Sequence, residues 1–195
     1  MKSLPELLRR GLTPRVIGFD DAPFAPQRGA PVDVAGIVCA GAAFEGMLWG
    51  QVARDGLDAT EAVASMVARS KFHDQVHAVL LDGLAFGGFN LVDLPTLARR
   101  LDRPCVAVMR RAPNMPAIHR ALGHFHDEPL RRATIERAGV VHELDGFVFQ
   151  VMGARPEDTA ALLGRVTLHG HVPEPLRMAH LINSAIKTGV SSQRA

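Results

Sequence analysis

The chain is poor in several residue types whose presence would indicate a particular class of protein. Its 195 residues include no tyrosine, one tryptophan and two cysteines. It has no run of about 18 consecutive apolar residues, the length that a membrane-spanning helix needs. The N-terminal segment also lacks the long apolar centre of a secretory signal peptide. From these absences we expect a cytoplasmic protein with no membrane partner.

The two cysteines, Cys39 and Cys105, stand far apart in the chain, and each lies inside an apolar run. Two isolated cysteines match neither the ligand spacing of a zinc site nor a disulfide framework. Free cysteine usually packs as a small hydrophobic residue. We therefore expect both thiols to be buried in the core.

The order of the predicted elements indicates an α/β fold. Apolar runs without a helical period predict buried strands, and two runs joined by Gly41-Ala-Ala predict a hairpin. The predicted strands lie at about 15–20, 32–40, 44–54, 76–82, 104–109 and 147–152. A meander followed by alternating strands and helices predicts a mixed sheet flanked by helices. The same order is typical of a ribonuclease H-like sheet.

The length of the chain predicts a single domain covering 1–195, with a lead at 1–14 and a disordered tail at 188–195. Asp58-Ala-Thr-Glu61 has the spacing of a capping box. Asp93 is the predicted cap of a later helix, and helical material after residue 114 is predicted to break near Glu128-Pro129. The predicted helices begin at about 58, 94, 114, 156 and 174, and the last of them ends at about 187.

Two of the predicted strands end on an aspartate, Asp20 in the first and Asp82 in the fourth. Ligands of open α/β sheets bind beyond the carboxyl ends of the strands, so two such strands can place two carboxylates in one crevice. Carboxylates held together in this way most often share a hard divalent cation. Either aspartate alone could equally cap the turn that follows it.

Asp82 opens an unusual loop, Asp82-Gly-Leu-Ala-Phe-Gly-Gly-Phe-Asn90. We call residues 82–90 the glycine loop. Its glycines permit close approach of the backbone to a ligand. Its two phenylalanines are candidates for stacking on a nucleobase, or alternatively for packing into the core. The glycines are Gly83, Gly87 and Gly88, and the phenylalanines are Phe86 and Phe89.

Glu61 and His180 each have two interpretations. Glu61 either satisfies a backbone N–H in a capping box or reaches from the start of its helix towards the same metal. On the helix predicted at 174–187, an apolar stripe leaves His180 on the opposite side, where it is either idle or directed at a cleft. The stripe comprises Met178, Leu181, Ile182, Ala185 and Ile186.

Among the 22 basic residues, 19 are arginine and 3 are lysine, and the net charge is +2. That charge is too small to predict nucleic-acid binding by itself. Arginine suits phosphate because its planar fork donates two hydrogen bonds at once, although solvated helix faces would give the same composition. Arg110 and Arg111 follow the strand predicted to end at Met109, so one of them can reach the crevice of Asp82.

These motifs resemble a known family. Gly18-Phe-Asp20, Leu81-Asp82-Gly83 and Pro173-Glu-Pro-Leu-Arg-Met-Ala-His180 resemble endonuclease V. The fuller resemblance is to the DUF99 family, also called endonuclease dU. The features of that family seen here are Asp58-Ala-Thr-Glu61, the whole of the glycine loop and Pro173-Glu-Pro-Leu-Arg177. The resemblance extends from Arg15 to Lys187.

The resemblance implies a ribonuclease H-like fold, a phosphodiesterase site dependent on Mg²⁺ or alternatively Mn²⁺, and DNA as the partner. It implies that Asp20, Glu61 and Asp82 hold the metal and that His180 completes the catalytic set. The candidate substrate-binding residues are Gly83, Phe86, Gly87, Gly88, Phe89, Arg110, Arg111 and Arg177.

One motif of endonuclease V is missing. That family carries a Pro-Tyr-Ile-Pro-Gly wedge ahead of its glutamate, whereas the corresponding stretch here, roughly 49–56, does not. We therefore hypothesise that Phe86 and Phe89 replace the wedge. The leading hypothesis is a metal-dependent endonuclease acting on DNA near a deaminated base such as deoxyuridine. The alternative is a module that binds a nucleotide or nucleic acid without cleaving it. Clustered carboxylates favour the enzyme, and weak basicity favours the module.

Overall fold

A seven-stranded sheet forms the centre of the fold, and two short strands pair beside it. The computed structural model describes residues 3–192. The strands are β1 (Arg15–Asp21), β2 (Pro31–Ala40), β3 (Ala43–Ala53), β4 (Ala78–Asp82), β5 (Ala85–Phe86), β6 (Asn90–Leu91), β7 (Cys105–Met109), β8 (His142–Leu144) and β9 (Phe147–Met152). The order in the large sheet is β3-β2-β1-β4-β7-β9-β8. Strands β1, β4 and β7 are parallel and the other pairings are antiparallel, so the predicted mixed sheet is confirmed.

Helices cover both faces of the sheet. They are α1 (Leu4–Arg9), α2 (Ala59–Ala68), α3 (Leu94–Leu101), α4 (Met115–Leu122), α5 (Glu128–Arg137), α6 (Pro156–Arg165) and α7 (Glu174–Thr188). Alternate residues of β1 separate the two cores, since Ile17 and Phe19 pack with α2 and α3, whereas Val16 packs with α1 and α6. This alternation follows from the two-residue period of a strand. Within residues 3–192, no helix has both the length and the apolar character needed to cross a membrane.

Most predicted elements are present, and the differences have local causes. Strand β8 has three residues, none of them fully buried, and β5 and β6 have two residues each. None of these three strands is long or apolar enough to give a recognisable hydrophobic pattern in the sequence. The predicted helix break near Glu128-Pro129 was placed too late. Pro129 lies in the first turn of α5, where a proline is tolerated, and the break precedes it. The predicted tail, 188–195, lies partly outside the described residues.

Both cysteines are buried in the core, as expected. Burial raises the pKa of the Cys39 thiol to about 11. A thiol with so high a pKa is a poor nucleophile at neutral pH. Neither cysteine lines the cleft described below.

Helix α7 packs on the sheet through a face that includes only part of the predicted stripe, since Met178 and Ile182 pack against the core residues of β2. Its buried residues include Leu176, Ala179 and Asn183, whereas Ile186 is exposed. Small residues at the contact let the helix lie close to the sheet. Beneath it, a Cβ added to Gly18 would stand 2.9 Å from the backbone nitrogen of Leu176. The packing of α7 through this face places His180 beside Asp20.

Candidate metal centre

Three side chains from distant parts of the chain meet at the carboxyl ends of β1 and β4. Asp20, Asp82 and His180 each offer one ligand atom, and these atoms all lie within 4.8 Å of one another. His180 Nδ1 is 3.0 Å from Oδ2 of Asp20. The structure thus brings together three of the four residues predicted to form the catalytic set.

Strand pairing explains why the two carboxylates are neighbours. Phe19 of β1 lies opposite Leu81 of β4 in a parallel register, so Asp20 and Asp82 leave the sheet at equivalent positions. Helix α7 is held in place at the same point, because Asn183 Nδ2 donates a 2.8 Å hydrogen bond to the carbonyl oxygen of Asp20. His180, three residues before Asn183, is thereby directed at the Asp20 carboxylate.

Asp21 is a third carboxylate at this edge, and the sequence reasoning missed it. Its Oδ2 accepts a 2.7 Å hydrogen bond from the backbone N–H of Gly87 in the glycine loop. Burial raises the pKa of Asp21, and the charges of Asp20 and Asp82 raise it further, against the effect of the Gly87 N–H. The signal that could have found it is the Asp20-Asp21 doublet at the end of β1.

The carboxylates repel one another in a partly buried cleft of about 550 Å³ lined by all three. Burial, followed by the charge of Asp20, raises the pKa of Asp82 to about 6, while Arg110 and His180 oppose the shift. The pKa of His180 is raised chiefly by its hydrogen bond to Asp20. Such a concentration of negative charge is favourable for a divalent cation.

Glu61 is not part of this cluster. It is 60% exposed on α2, where its carboxylate accepts hydrogen bonds from Arg100 of α3 and from the Ser65 hydroxyl. Helix α2 packs beside α3, and this places the Glu61 carboxylate within reach of Arg100 rather than of the strand ends. Asp21 lines the cleft and Glu61 does not.

The capping box predicted at the start of α2 is also absent. The Asp58 carboxylate accepts from the backbone N–H of Ala53 instead of capping its own helix. The N–H of Ala59 donates to Asn90 Oδ1, at 2.9 Å. Asn90 of the glycine loop thus accepts a hydrogen bond from the first turn of α2, where Asp58 was expected to do so, and this contact links the loop to α2.

The two phenylalanines of the glycine loop are not exposed for stacking. Phe86 is 1% exposed and belongs to the core, which contradicts its predicted contact with substrate. Phe89 is half-buried and meets Phe125 edge-to-face, with ring centroids 5.6 Å apart. The alternative interpretation, core packing, therefore describes Phe86 fully and Phe89 in part.

The glycines of the loop shape its backbone. Gly83, Gly87 and Gly88 all have positive φ angles, of 78°, 54° and 94°. That region strongly favours glycine. The N–H of Gly83 donates to Val108 in β7, and the N–H of Gly87 donates to Asp21. Two of these N–H groups therefore bind protein atoms, so their direct role is to fix the loop around the cleft.

A buried arginine joins the glycine loop to the segment before α2. Arg131 of α5 is 1% exposed and forms an ion pair with Asp127. Its guanidinium also donates to the backbone carbonyls of Asp55, Gly56 and Phe89. This residue was missed because Arg131-Arg132 looks like any exposed doublet. It fixes the position of the loop that carries Gly87.

Of the predicted phosphate-binding arginines, Arg110 alone lines the cleft. Its charge also lowers the pKa of Asp82. Arg111 is exposed beside it. Arg177 donates a 2.7 Å hydrogen bond to Glu174, a buried glutamate of the same helix. The structure thus brings Arg110 to the cluster and pairs Arg177 with a carboxylate of its own helix.

Comparison with known proteins places these features in a family. The family model described as Endonuclease dU matches residues 13–187. A protein of Methanothermobacter thermautotrophicus described as a UPF0215 protein is 41% identical over 182 residues, covering 91% of this chain and 89% of its own. A crystal structure of a protein of unknown function from Archaeoglobus fulgidus is 38% identical, with a TM-score of 0.84 over 89% of this chain and 98% of that chain.

More distant structures share the fold. Endonuclease V from Bacillus subtilis superimposes with a TM-score of 0.59 at 11% identity, covering 95% of this chain and 90% of that chain. Endonuclease V from Ciona intestinalis, solved with a DNA containing an inosine, gives a TM-score of 0.53 at 16% identity, covering 89% and 90%. These likenesses confirm the ribonuclease H-like, endonuclease V-like fold predicted above. The resemblance stated from the sequence is likewise confirmed: the chain belongs to the Endonuclease dU family.

Proposed function

We propose that this protein is a metal-dependent endonuclease that hydrolyses a phosphodiester bond in DNA near a deaminated base such as deoxyuridine. The observation that carries the proposal is the meeting of Asp20, Asp82 and His180 at one edge of the sheet. The family and the endonuclease V-like fold support a nuclease role. The inosine-containing DNA bound by the Ciona intestinalis enzyme supports DNA as the partner.

The donor set fits a divalent cation. Asp20 and Asp82 offer the carboxylate oxygens that Mg²⁺ and Mn²⁺ prefer, and Asp21 stands beside them. The raised pKa of Asp82 reflects a buried charge beside another of the same sign, which a cation would relieve. When bound, such an ion polarises a phosphate oxygen and lowers the pKa of a coordinated water.

The remaining groups have roles that follow from their contacts. His180 holds the Asp20 carboxylate through Nδ1, and its other ring nitrogen is the atom we assign to orienting the attacking water. Arg110 supplies the positive charge that a phosphate in the cleft requires. Gly87 holds Asp21 through its backbone N–H, so the glycine loop supports the ligand set from the other side.

The test is the cleavage of labelled oligonucleotides. DNA strands with deoxyuridine, deoxyinosine or no lesion, and matched RNA strands, are incubated with Mg²⁺ or Mn²⁺. We expect nicking that depends on the metal and on the lesion, and we expect Asp82→Asn to abolish it. Asp102→Asn is the matched control, since Asp102 is fully exposed at the end of α3.

The outcome also separates the two hypotheses about function. Tight binding of lesion-containing DNA without any cleavage, with either metal, would favour the non-cleaving module. Cleavage that persists in Asp82→Asn would contradict the assigned site, even if the protein proved to be a nuclease. Preferential cleavage of the RNA strands would correct the substrate while leaving the site intact.

A further inference from the structure

A single exposed phenylalanine lines the cleft that contains the carboxylates. Stacking on a base requires an aromatic face open to solvent. Within residues 3–192, the exposed aromatic residues are Phe24, Phe44 and Trp49, of which only Phe24 lines the cleft. Phe24 is 40% exposed and Phe44 is 52% exposed. Phe44 lies beside the β2–β3 turn, opposite Cys39, at the end of the sheet away from Asp20.

The segment that carries Phe24 is anchored at both ends. At its start, the N–H of Ala22 donates a 2.8 Å hydrogen bond to the carbonyl of Asp33 on β2. Near its end, the N–H of Gly29 donates to the carbonyl of Arg54 at 3.0 Å. Pro23 adds a fixed φ next to the aromatic residue. Phe24 is therefore held four residues from Asp20 on a restrained segment rather than on a free loop.

An arginine lies against the ring. The guanidinium carbon of Arg54 is 5.6 Å from the centroid of the Phe24 ring, within the range of a cation–π contact. Arg54 Nε lies 3.6 Å from Oδ2 of Asp55, the residue whose other carboxylate oxygen accepts from the N–H of Phe89. The contact joins the aromatic segment to the glycine loop.

We propose that Phe24 stacks on an unpaired nucleobase of the DNA strand whose phosphate enters the carboxylate cleft. This inference rests on the proposed function and adds to it a DNA strand with a base out of the helical stack. Stacking tolerates any base, because every base presents a π-face. It also places the aromatic contact on the β1–β2 segment, in place of the buried Phe86 and half-buried Phe89.

The first experiment measures the binding of a fluorescent, deoxyuridine-containing oligonucleotide by anisotropy. The Asp82→Asn background prevents the proposed cleavage during the measurement. We expect Phe24→Ala and Phe24→Leu to weaken binding about tenfold, within the range known for base–aromatic stacking. Phe44→Ala is the matched control and is expected to bind like its parent. The same three substitutions are also made in the protein that retains Asp82. We expect all three of these variants to bind Mn²⁺ with the affinity of the unchanged protein, measured by electron paramagnetic resonance.

A second experiment detects the stacking directly. Trp49→Phe removes the one tryptophan of the chain, and Phe24→Trp or Phe44→Trp is then added. We expect the oligonucleotide to quench the tryptophan fluorescence of the Phe24→Trp protein. The tryptophan fluorescence of the Phe44→Trp protein should not change.

The outcomes separate this inference from the proposed function. If the unchanged protein cleaves DNA while Phe24→Leu binds like its parent, stacking by Phe24 is wrong and the nuclease stands. Equal losses in Phe24→Ala and Phe44→Ala also contradict it. If the unchanged protein neither binds nor cleaves nucleic acid, the proposed function and this inference fall together.

Discussion

At the scale of single residues, the charge of Asp82 should destabilise the folded protein when no metal is bound. Its pKa is about 6 in the folded state, because of burial and the charge of Asp20, against about 4 for an unfolded chain. The folded state therefore holds the proton more tightly. The resulting loss of stability develops as the pH rises from about 4 to about 6 and is complete above that range.

We accordingly predict that Asp82→Asn stabilises the metal-free protein at pH 7.5, by at most about 3 kcal/mol, since one pKa unit corresponds to about 1.4 kcal/mol. The gain should vanish at pH 4. Urea unfolding in the presence of EDTA measures it at both values. Mn²⁺ should stabilise the unchanged protein and have little effect on the variant. If Asp82→Asn stabilised the protein equally at both pH values, the gain would come from the packing of the new side chain and not from the loss of the Asp82 charge.

Glu61 and Asp21 give a second prediction at this scale. The structure pairs Glu61 with Arg100 and places Asp21 in the cleft. We expect Glu61→Gln to leave DNA cleavage and Mn²⁺ affinity unchanged, and we expect Asp21→Asn to lower both. Cleavage assays and Mn²⁺ titrations on the two variants test this. If Glu61→Gln lost cleavage and Asp21→Asn did not, Glu61 would be a metal ligand, as the family resemblance implies, and Asp21 would not.

At the scale of elements, α7 and β1 are in contact where Gly18 has no side chain. A Cβ at this position would stand 2.9 Å from the backbone of α7, closer than real Cβ contacts, so the helix would have to move. We expect Gly18→Ala to lower the free energy of unfolding by about 1–3 kcal/mol, as overpacking does. Because α7 carries His180, the affinity for Mn²⁺ should fall as well.

Gly164 provides the control for this prediction. It lies on the exposed side of α6, and an added Cβ would meet nothing within 4 Å. Gly164→Ala should stabilise the protein by about 0.5–1 kcal/mol, because glycine is the poorer helix former. Its Mn²⁺ affinity should not change. If Gly18→Ala kept full Mn²⁺ affinity, the position of α7, and of the His180 that it carries, would not matter for metal binding.

Helix α5 offers two adjacent arginines with ion pairs of the same spacing, Arg131–Asp127 and Arg132–Glu128. Arg131 is buried and also binds three backbone carbonyls, so Arg131→Met leaves these carbonyls and the partly buried Asp127 carboxylate without their partner. We expect it to cost about 3–5 kcal/mol in urea unfolding. Arg132→Met removes a half-exposed pair and should cost under about 1 kcal/mol. Similar losses would show that the carbonyl contacts of Arg131 contribute little.

At the scale of the whole molecule, the sheet could largely be predicted from the sequence because its strands are apolar runs bounded by turns. Asp20 and Asp82 could be found for the same reason, as they end two such runs. The orientation of α7 could not, because its buried face contains the polar residue Asn183, whose amide nitrogen donates to the backbone carbonyl of Asp20. Arg131 escaped notice in the same way, since its partners are backbone carbonyls from two distant segments.

Glu61 shows the limit of motif reasoning. Its spacing from Asp58 is that of a capping box, and the family resemblance implies a metal ligand, yet the structure has neither arrangement. The outcome depends on Arg100 of α3 and Asn90 of the glycine loop. Both lie far along the chain, and local spacing carries no information about them.

The distance between Asp20 and His180 along the chain, 160 positions, has a consequence for the order of events during synthesis. A ribosome that has completed β4 has already made both aspartates, but the histidine that binds Asp20 does not yet exist. Contacts so far apart in sequence form only after the intervening chain has been made and folded. Any activity that needs all three groups is thus withheld from the nascent polypeptide until α7 emerges and docks against β1 and β2.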